Sequence, residues 1–349
     1  MSMTDDSRLI RRADLETYVA AIFAAAGVAA PMAADWARVV VWANLRGVDS
    51  HGVLRVPRYV DLLKRGLIKP NPAMRVERCS GAIAVLEADH APGAVAMSRA
   101  MAEAIGRARE VHVGWCGARN ITHAGAIGYF ALQAAEAGFA GIAMCASSPL
   151  MAYYGSRVAG VSTNPIAIAV PGRNRRPFLL DMSTSTAAFG KVMSAKDRGA
   201  KIPVGWAIDA AGRDTTDPNR VATLLPLGGP KGSGLSLMIE CLASLAVGNP
   251  LITAALTGPG GENPVLNGIA LAVDLAALGD FDRFTAEVDA LHDAIAALPR
   301  ADGFDRILLP GERGDAIKAE REAAGIPVTQ GTWTRLAATA ASLGVVPPS

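Results

Sequence analysis

Residues 49–55, Asp-Ser-His-Gly-Val-Leu-Arg, combine side chains that can transfer a proton and bind an anion. Ser50 is a favoured N-cap residue, and the residues after it predict a helix to about Lys64 that is ended by Gly66. An imidazole in the first turn of such a helix lies at the positive end of the helix dipole, which favours its neutral form.

The predicted helix places three polar side chains on one face, because His51, Arg55 and Tyr59 are spaced four residues apart. A guanidinium one turn from the imidazole can bind a carboxylate through two hydrogen bonds. The pattern therefore indicates a proton-transfer group beside an anion-binding group. A capped surface helix with a solvated histidine and arginine is the alternative interpretation.

A second histidine lies between a predicted strand and a predicted helix, in the segment Asn120-Ile-Thr-His123-Ala-Gly125. This kind of junction is where ligands usually bind in α/β sheets. His123 can donate or accept a hydrogen bond there, and Gly125 allows a ligand to approach the backbone. The alternative is that His123 caps the helix that follows.

A turn rich in hydroxyl groups follows another predicted strand at residues 181–185, Asp-Met-Ser-Thr-Ser. Asp181 could orient an imidazole or accept a hydrogen bond from a ribose. Ser183, Thr184 and Ser185 offer hydroxyls and backbone amides to a phosphate or a carboxamide. A local turn that caps the next helix is the alternative.

A glycine-rich segment, Gly-Gly-Pro-Lys-Gly-Ser-Gly at residues 228–234, opens a predicted apolar helix. Such a helix N-terminus with Lys231 is typical of a phosphate site. It is not a Walker A loop, because Gly232 follows Lys231 where that motif requires Ser or Thr. Glu312, just after a predicted strand at 305–309, could contact a ribose.

Two common catalytic patterns are disfavoured. No G-x-G-x-x-G motif occurs; residues 123–128 come closest and lack its first glycine, so a dinucleotide would not be bound by the usual Rossmann fingerprint. Ser50 and His51 are adjacent, so on a helix they should point about 100° apart rather than form a nucleophile–base pair. With no G-x-S-x-G elbow either, we expect Ser50 to cap the helix or to donate to a substrate.

The composition narrows the class of protein. The 349 residues suffice for about two domains, and 51% hydrophobic against 19% charged residues predict a large core. A net charge of +2 disfavours nucleic acid and anionic membranes as partners. The isolated cysteines disfavour a metal site or a disulfide framework, and with no signal-like N-terminus they favour the cytoplasm. An apolar run at 19–34 is too short and too interrupted to span a bilayer.

The order of predicted elements indicates three regions. Residues 1–73 are predicted to form a helical domain, joined by part of the C-terminal third. Residues 74–310 alternate between strands and helices, as in an α/β domain. Residues 311–349 are predicted to form C-terminal helices. Strands are predicted at 83–86, 111–116, 139–145, 165–170, 177–181, 269–274 and 305–309. Helices are predicted at 13–26, 31–45, 92–109, 125–137, 187–198, 233–247 and 282–297.

Taken together and in order, several segments resemble the malate/L-lactate dehydrogenase family, which is unrelated to the Rossmann dehydrogenases. The matching segments span nearly the whole chain and are Leu45–Arg55, Asn120–His123, Gly160–Pro171, Leu180–Ser185, Thr216–Pro218, Leu225–Leu235 and Leu309–Glu312. The resemblance implies a non-Rossmann, mixed-sheet NAD(P)-binding domain packed with a mostly helical domain. It also implies a homodimer with active sites near the subunit interface.

The resemblance further implies hydride transfer between NAD or NADP and a 2-oxo acid/2-hydroxy acid pair, or reduction of a cyclic 2-imino acid. Such a reaction needs a positioned acid and a held carboxylate, which fits the residues at 49–55. The alternative from another class is a non-catalytic protein that retains the fold and binds nicotinamide or a carboxylate. No metal is implied.

The resemblance also implies individual roles. His51 resembles the general acid/base, Arg55 the carboxylate-binding group and His123 a second imidazole of the site, while Asp181 resembles the partner that sets the tautomer of a catalytic imidazole. Further substrate contacts are implied for Ser50, Tyr59, Ser147 and Ser148. Cofactor contacts are implied for Asn120, His123, Asp181, Met182, Ser183, Thr184, Ser185, Lys231, Gly232 and Glu312.

The chain departs from the family pattern where substrate selection is expected. Ser147 stands where asparagine is usual, Tyr153 and Tyr154 replace a small proline-containing stretch, and Ser233 stands where an aromatic residue is common. These changes leave the substrate open. The basic turn 173–176 could hold the 2′-phosphate of NADP, although a solvated hairpin turn is the expected interpretation.

Overall fold

The computed structural model describes residues 7–197, 199–259 and 263–348. Its strands are β1 (Ser7–Ile10), β2 (Arg75–Ser80), β3 (Ile83–Ala91), β4 (Val113–Ile121), β5 (Phe139–Ala146), β6 (Met151–Ala152), β7 (Ala159–Val161), β8 (Ile166–Val170), β9 (Phe178–Met182), β10 (Ala207–Ile208), β11 (Thr223–Leu224), β12 (Leu266–Asp274) and β13 (Ile326–Thr329). Its α-helices are α1 (Arg12–Ala25), α2 (Ala30–Leu45), α3 (Val56–Lys64), α4 (Gly93–Val111), α5 (Gly128–Glu136), α6 (Phe189–Asp197), α7 (Pro230–Glu240), α8 (Ile252–Thr257), α9 (Phe281–Ala296), α10 (Glu312–Ala324) and α11 (Gln330–Ala341).

Seven strands form the main sheet in the order β2-β3-β4-β12-β5-β8-β9. Strands β3 and β4 run parallel, and the other neighbours run antiparallel. A Rossmann sheet would be parallel throughout its core, so this mixed sheet confirms the predicted non-Rossmann α/β fold. A smaller sheet joins β10-β11-β6-β7.

A row of small residues lets α4 and α5 lie close on one face of the main sheet. Ala272 of β12 pairs with Gly114 of β4 on one side and with Gly141 of β5 on the other. Residues opposite each other share a face. A Cβ atom at Gly114 would lie 1.8 Å from the carbonyl oxygen of Ala104 in α4, and one at Gly141 would lie 2.3 Å from that of Ala131 in α5. These two glycines therefore set the distance between sheet and helices.

The two ends of the chain meet. Strand β1 pairs antiparallel with β13, Ile10 opposite Ile326, and helices α10 and α11 contact α2 and α3. The buried Arg46, just after α2, pairs with Asp315 at 2.5 Å and donates to the carbonyl of Gly311 at 3.0 Å. The C-terminal elements thus support the helices that carry the first histidine.

Three sequence predictions about the elements are wrong. Residues 305–309 form no strand. The helix predicted from Ser50 begins only at Val56, because Gly52 is extended (φ −88°, ψ −150°) and divides residues 49–55 into two short 3₁₀ turns. The N-terminal region is not wholly helical, since β1 precedes α1. In the described ranges no helix is long and apolar enough to cross a membrane.

We predict that Gly114→Ala lowers the free energy of unfolding by about 1–3 kcal/mol, because the new methyl group would overlap backbone of α4. The matched control is Gly106→Ala within α4, where an added Cβ meets nothing within 4 Å. This control should raise stability by about 0.5–1 kcal/mol through helix propensity. Urea unfolding of both variants measures the difference; equal effects would contradict the packing assigned to Gly114.

Candidate active site

The two histidines singled out in the sequence lie side by side. His51 belongs to the 3₁₀ turn Asp49–His51, and His123 follows the end of β4. Their ring centroids are 5.4 Å apart and their planes differ by 24°. The sequence analysis predicted each separately, and the fold brings them together.

A buried asparagine holds the turn that carries His51. The Asn44 Oδ1 atom accepts from the backbone amide of Val53 at 2.8 Å, and its Nδ2 donates to Asp49 at 2.6 Å. Arg321 of α10 donates to the same Asp49 carboxylate at 2.7 Å. A Cβ atom at Gly52 would lie 2.1 Å from Asn44 Oδ1, so only glycine fits there.

Ser50 contacts His51 directly. Its Oγ lies 2.9 Å from His51 Nδ1, and its carbonyl accepts from Arg55 Nε at 2.8 Å. The expectation that neighbouring Ser50 and His51 point apart, with Ser50 as a helix cap, is wrong, because these residues form a 3₁₀ turn and not α-helix. No carboxylate in the described ranges bonds to either imidazole, so a Ser-His-Asp triad is still not assembled.

The second imidazole is held through its Nδ1 atom. Tyr59 Oη lies 2.7 Å from His123 Nδ1, and the backbone N–H of Gly125 donates to the same nitrogen at 3.3 Å. Tyr59 is buried, and its ring packs on Trp36 with centroids 5.1 Å apart. Residues His51, Arg55, Tyr59 and His123 thus share one site, as the helical spacing suggested for the first three.

Both imidazoles are neutral near pH 7. Burial lowers the pKa of His51 to about 4, with a further contribution from the positive charge of Arg55. Burial, followed by His51 and Arg55, holds the pKa of His123 well below the ordinary value. The predicted neutrality is supported, but its cause is desolvation, since His51 precedes the α3 N-terminus.

These lowered values affect stability. The unfolded chain takes up a proton at His51 near the ordinary pKa of 6.5, whereas the folded chain does so only near 4. The free energy of unfolding contributed by this site therefore falls as the pH drops through that interval.

Arg55 has no carboxylate partner in the part of the chain that the structure describes. Its only hydrogen bond there runs from Nε to the Ser50 carbonyl, although the residue is half-buried. A cation in such a position is stabilised by an anionic ligand. Its charge also acts on His51, Tyr59 and His123.

Asp181, at the end of β9, forms no hydrogen bond to either imidazole within the described ranges. Its Oδ2 accepts from the Gly128 amide at 2.9 Å at the start of α5. Desolvation of its carboxyl group raises the pKa of Asp181 to about 6, although the hydrogen bond from Gly128 and the charge of Arg46 act in the opposite direction. The residue is nevertheless partly exposed to solvent. The implied role of setting an imidazole tautomer is not met within one chain, where Ser50 and Tyr59 take the Nδ1 positions.

The turn after β9 is a compact hydroxyl cluster. Met182 pairs with Ile166 in the sheet, and Ser183 Oγ lies 2.9 Å from Ser185 Oγ, which donates to the carbonyl of Ala187. The hydroxyl of Thr184 is buried and has no hydrogen-bond partner among the residues that the structure describes.

The segment after β5 also contains a buried hydroxyl without a partner in the described ranges, at Ser148. Ser147 Oγ lies 2.5 Å from Ser162 Oγ, and its amide donates to Asn164. Unpaired buried hydroxyls are unfavourable unless a ligand pairs with them.

Two of the predicted cofactor contacts, Asn120 and Glu312, already have protein partners. Asn120 Nδ2 donates to Glu87, and its Oδ1 accepts from Asn249 at 2.9 Å. Glu312 accepts from the Leu309 amide at 2.7 Å and pairs with His292 at 2.9 Å. Both side chains therefore serve the fold, and the sequence could not reveal their partners.

The backbone amides at the start of the glycine-rich helix give no support to the predicted phosphate site. Helix α7 begins at Pro230, which has no N–H, and the next three amides donate to the carbonyls of residues 227–229. A Cβ at Gly232 would lie 2.4 Å from the carbonyl oxygen of Thr184, so this glycine serves close packing. Lys231 remains exposed.

The basic turn 173–176 connects β8 to β9 and is held in place by two acidic residues of α9. Asp289 of α9 accepts from the amides of Arg173 and Asn174, and Arg175 pairs with Asp293. This arrangement supports the expected structural interpretation over a phosphate-binding one.

A cavity of about 390 Å³ lies between two of the predicted cofactor-contacting segments. Its lining includes Thr186 from the hydroxyl turn, Gly228 and Gly229 from the glycine-rich segment, and Tyr153 and Tyr154. The last two are 41% and 61% exposed. Neither imidazole is among the residues that line this cavity.

Comparison with known proteins identifies the family. The family model described as malate/L-lactate dehydrogenase matches residues 10–337. The chain is 34% identical over 315 residues to ureidoglycolate dehydrogenase (NAD(+)) of Escherichia coli, covering 89% of this chain and 90% of that protein. It is 38% identical over 290 residues to L-sulfolactate dehydrogenase of Methanocaldococcus jannaschii, covering 82% and 83% respectively.

A solved structure agrees with these sequence matches. Malate dehydrogenase of Pyrococcus horikoshii superposes with a TM-score of 0.90 at 31% identity, covering 100% of this chain and 99% of that one. The chain belongs to the malate/L-lactate dehydrogenase family. The predicted family, fold class and NAD(P)-dependent oxidoreductase activity are confirmed.

We predict that Arg55→Met raises the pKa of His51 from about 4 toward the ordinary 6.5, because it removes the nearby positive charge. An NMR titration of the histidine ring signals measures this shift. Arg58→Met, which changes an arginine on α3 that pairs with Asp61, is the control and should leave the pKa of His51 unchanged. A His51 pKa that stays or falls in Arg55→Met would contradict the assigned coupling.

Proposed function

We propose that His51 exchanges the proton, and Arg55 binds the carboxylate, in the interconversion of a 2-hydroxy acid and a 2-oxo acid. The observation that carries this proposal is the half-buried Arg55, without a carboxylate partner in the described ranges, beside two neutral stacked imidazoles. A substrate carboxylate satisfies that cation, and its reacting carbon is adjacent.

The neutral form of His51 suits the oxidation direction. His51 accepts the hydroxyl proton of the 2-hydroxy acid as the hydride leaves the neighbouring carbon, and a 2-oxo acid results. In the reverse direction His51 returns the proton to the carbonyl oxygen. A bound nicotinamide cofactor supplies or accepts the hydride.

Binding of the carboxylate also changes the pKa of His51. The charge of Arg55 helps to lower the pKa of this imidazole. A carboxylate paired with Arg55 offsets that charge, so the pKa of His51 rises when substrate binds. The same ion pair therefore orients the substrate and brings the imidazole closer to the protonated state that reduction requires.

The chain offers unfilled hydrogen-bonding groups for NAD or NADP. Thr184 and Ser148 carry buried hydroxyls without partners in the described ranges, and Thr186, just after the turn 181–185, lines the cavity. We propose that these hydroxyls hold the polar groups of the cofactor, with Lys231 as a nearby exposed cation. Imino acid reduction would use the same carboxylate and proton groups.

We further propose that the protein works as a cytoplasmic homodimer. The isolated cysteines favour a reducing compartment. The exposed side of Asp181 in the single chain is the place where a partner subunit or a ligand would complete the site.

The test is a rate assay of nicotinamide oxidation with NADH and NADPH in parallel. The substrate panel contains pyruvate, oxaloacetate, a branched 2-oxo acid, sulfopyruvate, oxalurate and a cyclic 2-imino acid, with acetone as a partner that lacks the carboxylate. We expect turnover with at least one carboxylate substrate and none with acetone. Equal activity toward acetone would remove Arg55 from substrate binding.

We expect His51→Asn to lower kcat by about 10²–10⁴ while cofactor binding, followed by nicotinamide fluorescence, is retained. The matched control is His112→Asn, an exposed histidine at φ 67° that pairs with Asp274 and that asparagine can replace without strain. Turnover of His51→Asn near that of the control would show that another group exchanges the proton.

A further inference from the structure

The hydrogen bonds at His123 determine which ring nitrogen carries the proton. The Gly125 backbone N–H can only donate, and it points at Nδ1. A proton on that nitrogen would face the hydrogen of the amide, whose nitrogen lies 3.3 Å away, so the amide favours a lone pair on Nδ1. The neutral ring then has its proton on Nε2.

Tyr59 reinforces this arrangement. Its hydroxyl lies 2.7 Å from the same Nδ1 and donates to it, so the amide and the hydroxyl together hold Nδ1 as an acceptor. A doubly protonated ring is disfavoured, because it would be a buried cation stacked on His51 and close to Arg55. The Nε2–H tautomer therefore persists.

The surroundings of Tyr59 keep its hydroxyl in place and away from ligands. Only 2% of the residue is exposed, and its ring packs on Trp36 and Phe23 with centroids 5.1 and 6.4 Å away. This burial favours a role for Tyr59 behind the imidazole over the implied substrate contact.

His51 is held differently. Its Nδ1 faces the hydroxyl of Ser50, which can donate or accept by rotating. Both protonation states of His51 therefore keep a hydrogen bond, as proton exchange requires. His123 has no such freedom, since the Gly125 amide cannot reverse.

We infer that Tyr59 and the Gly125 amide lock His123 as a permanent Nε2–H donor to the substrate, leaving proton exchange to His51. Tyr59 is thus a positioning residue. The donor part of this inference rests on the proposed function, whereas the tautomer part stands on the hydrogen bonds alone.

The first test reads the tautomer directly in the full-length protein. Nitrogen-15 histidine labelling, with His123→Gln used to assign the ring, distinguishes a protonated Nε2 from a protonated Nδ1. We expect the Nε2–H form in the wild type and a shift toward mixed tautomers in Tyr59→Phe. The control is Tyr18→Phe, because Tyr18 is equally buried and its hydroxyl has no partner.

The second test uses activity on whichever carboxylate substrate is turned over. Tyr59→Phe should lower kcat about tenfold with KM nearly unchanged, as for one lost hydrogen bond that orients a donor. His123→Gln, which keeps an N–H donor near the Nε2 position, should retain more activity than His123→Leu.

Three results would overturn the inference: a proton on Nδ1 of His123, equal tautomer shifts in Tyr59→Phe and Tyr18→Phe, or equal loss of activity in His123→Gln and His123→Leu. A correct tautomer in a protein that turns over no member of the panel would count against the proposed function and leave the lock intact. Activity with the wrong tautomer would count against the lock alone.

Discussion

The side chain of Asn44 is the contact on which the candidate site depends. It is 3% exposed, and it joins the end of α2 to the turn that carries His51 by binding both Asp49 and the Val53 amide. Without it, the buried Val53 amide would lack a partner, at a cost of about 1–3 kcal/mol. The short 3₁₀ turns would lose their anchor, and with it the stacking of His51 on His123.

The protonation state of the site is set by desolvation of the imidazoles and by the charge of Arg55, and not by ion pairs. Both imidazoles are half-buried without a carboxylate partner in the described ranges, and Arg55 adds positive charge beside them. The apoprotein therefore keeps its proton-transfer group neutral and its anion-binding group unpaired. A carboxylate ligand resolves both conditions at once, which links binding of the substrate to the readiness of the acid.

The sequence predicted most of the long elements, because helical periodicity and apolar strands are local properties. It could not predict that β1 pairs with β13, nor that His51 and His123 stack, since both depend on contacts between distant segments. The structural roles of the segments at Asn120, Lys231 and Glu312 were hidden from the sequence for a common reason. Polar residues near glycine or helix ends look like ligand contacts, but here protein partners or loop carbonyls fill the positions.

The most direct test of the central claim is proton uptake on binding oxamate, an unreactive analogue of a 2-oxo acid. Calorimetry in buffers of different ionisation enthalpy, at about pH 5.5, measures the protons taken up. We predict net uptake, because the pKa of His51, about 4 in the free chain, rises when the carboxylate pairs with Arg55. We also predict that His51→Asn abolishes this uptake. Binding without proton uptake, or uptake that persists in His51→Asn, would contradict the account.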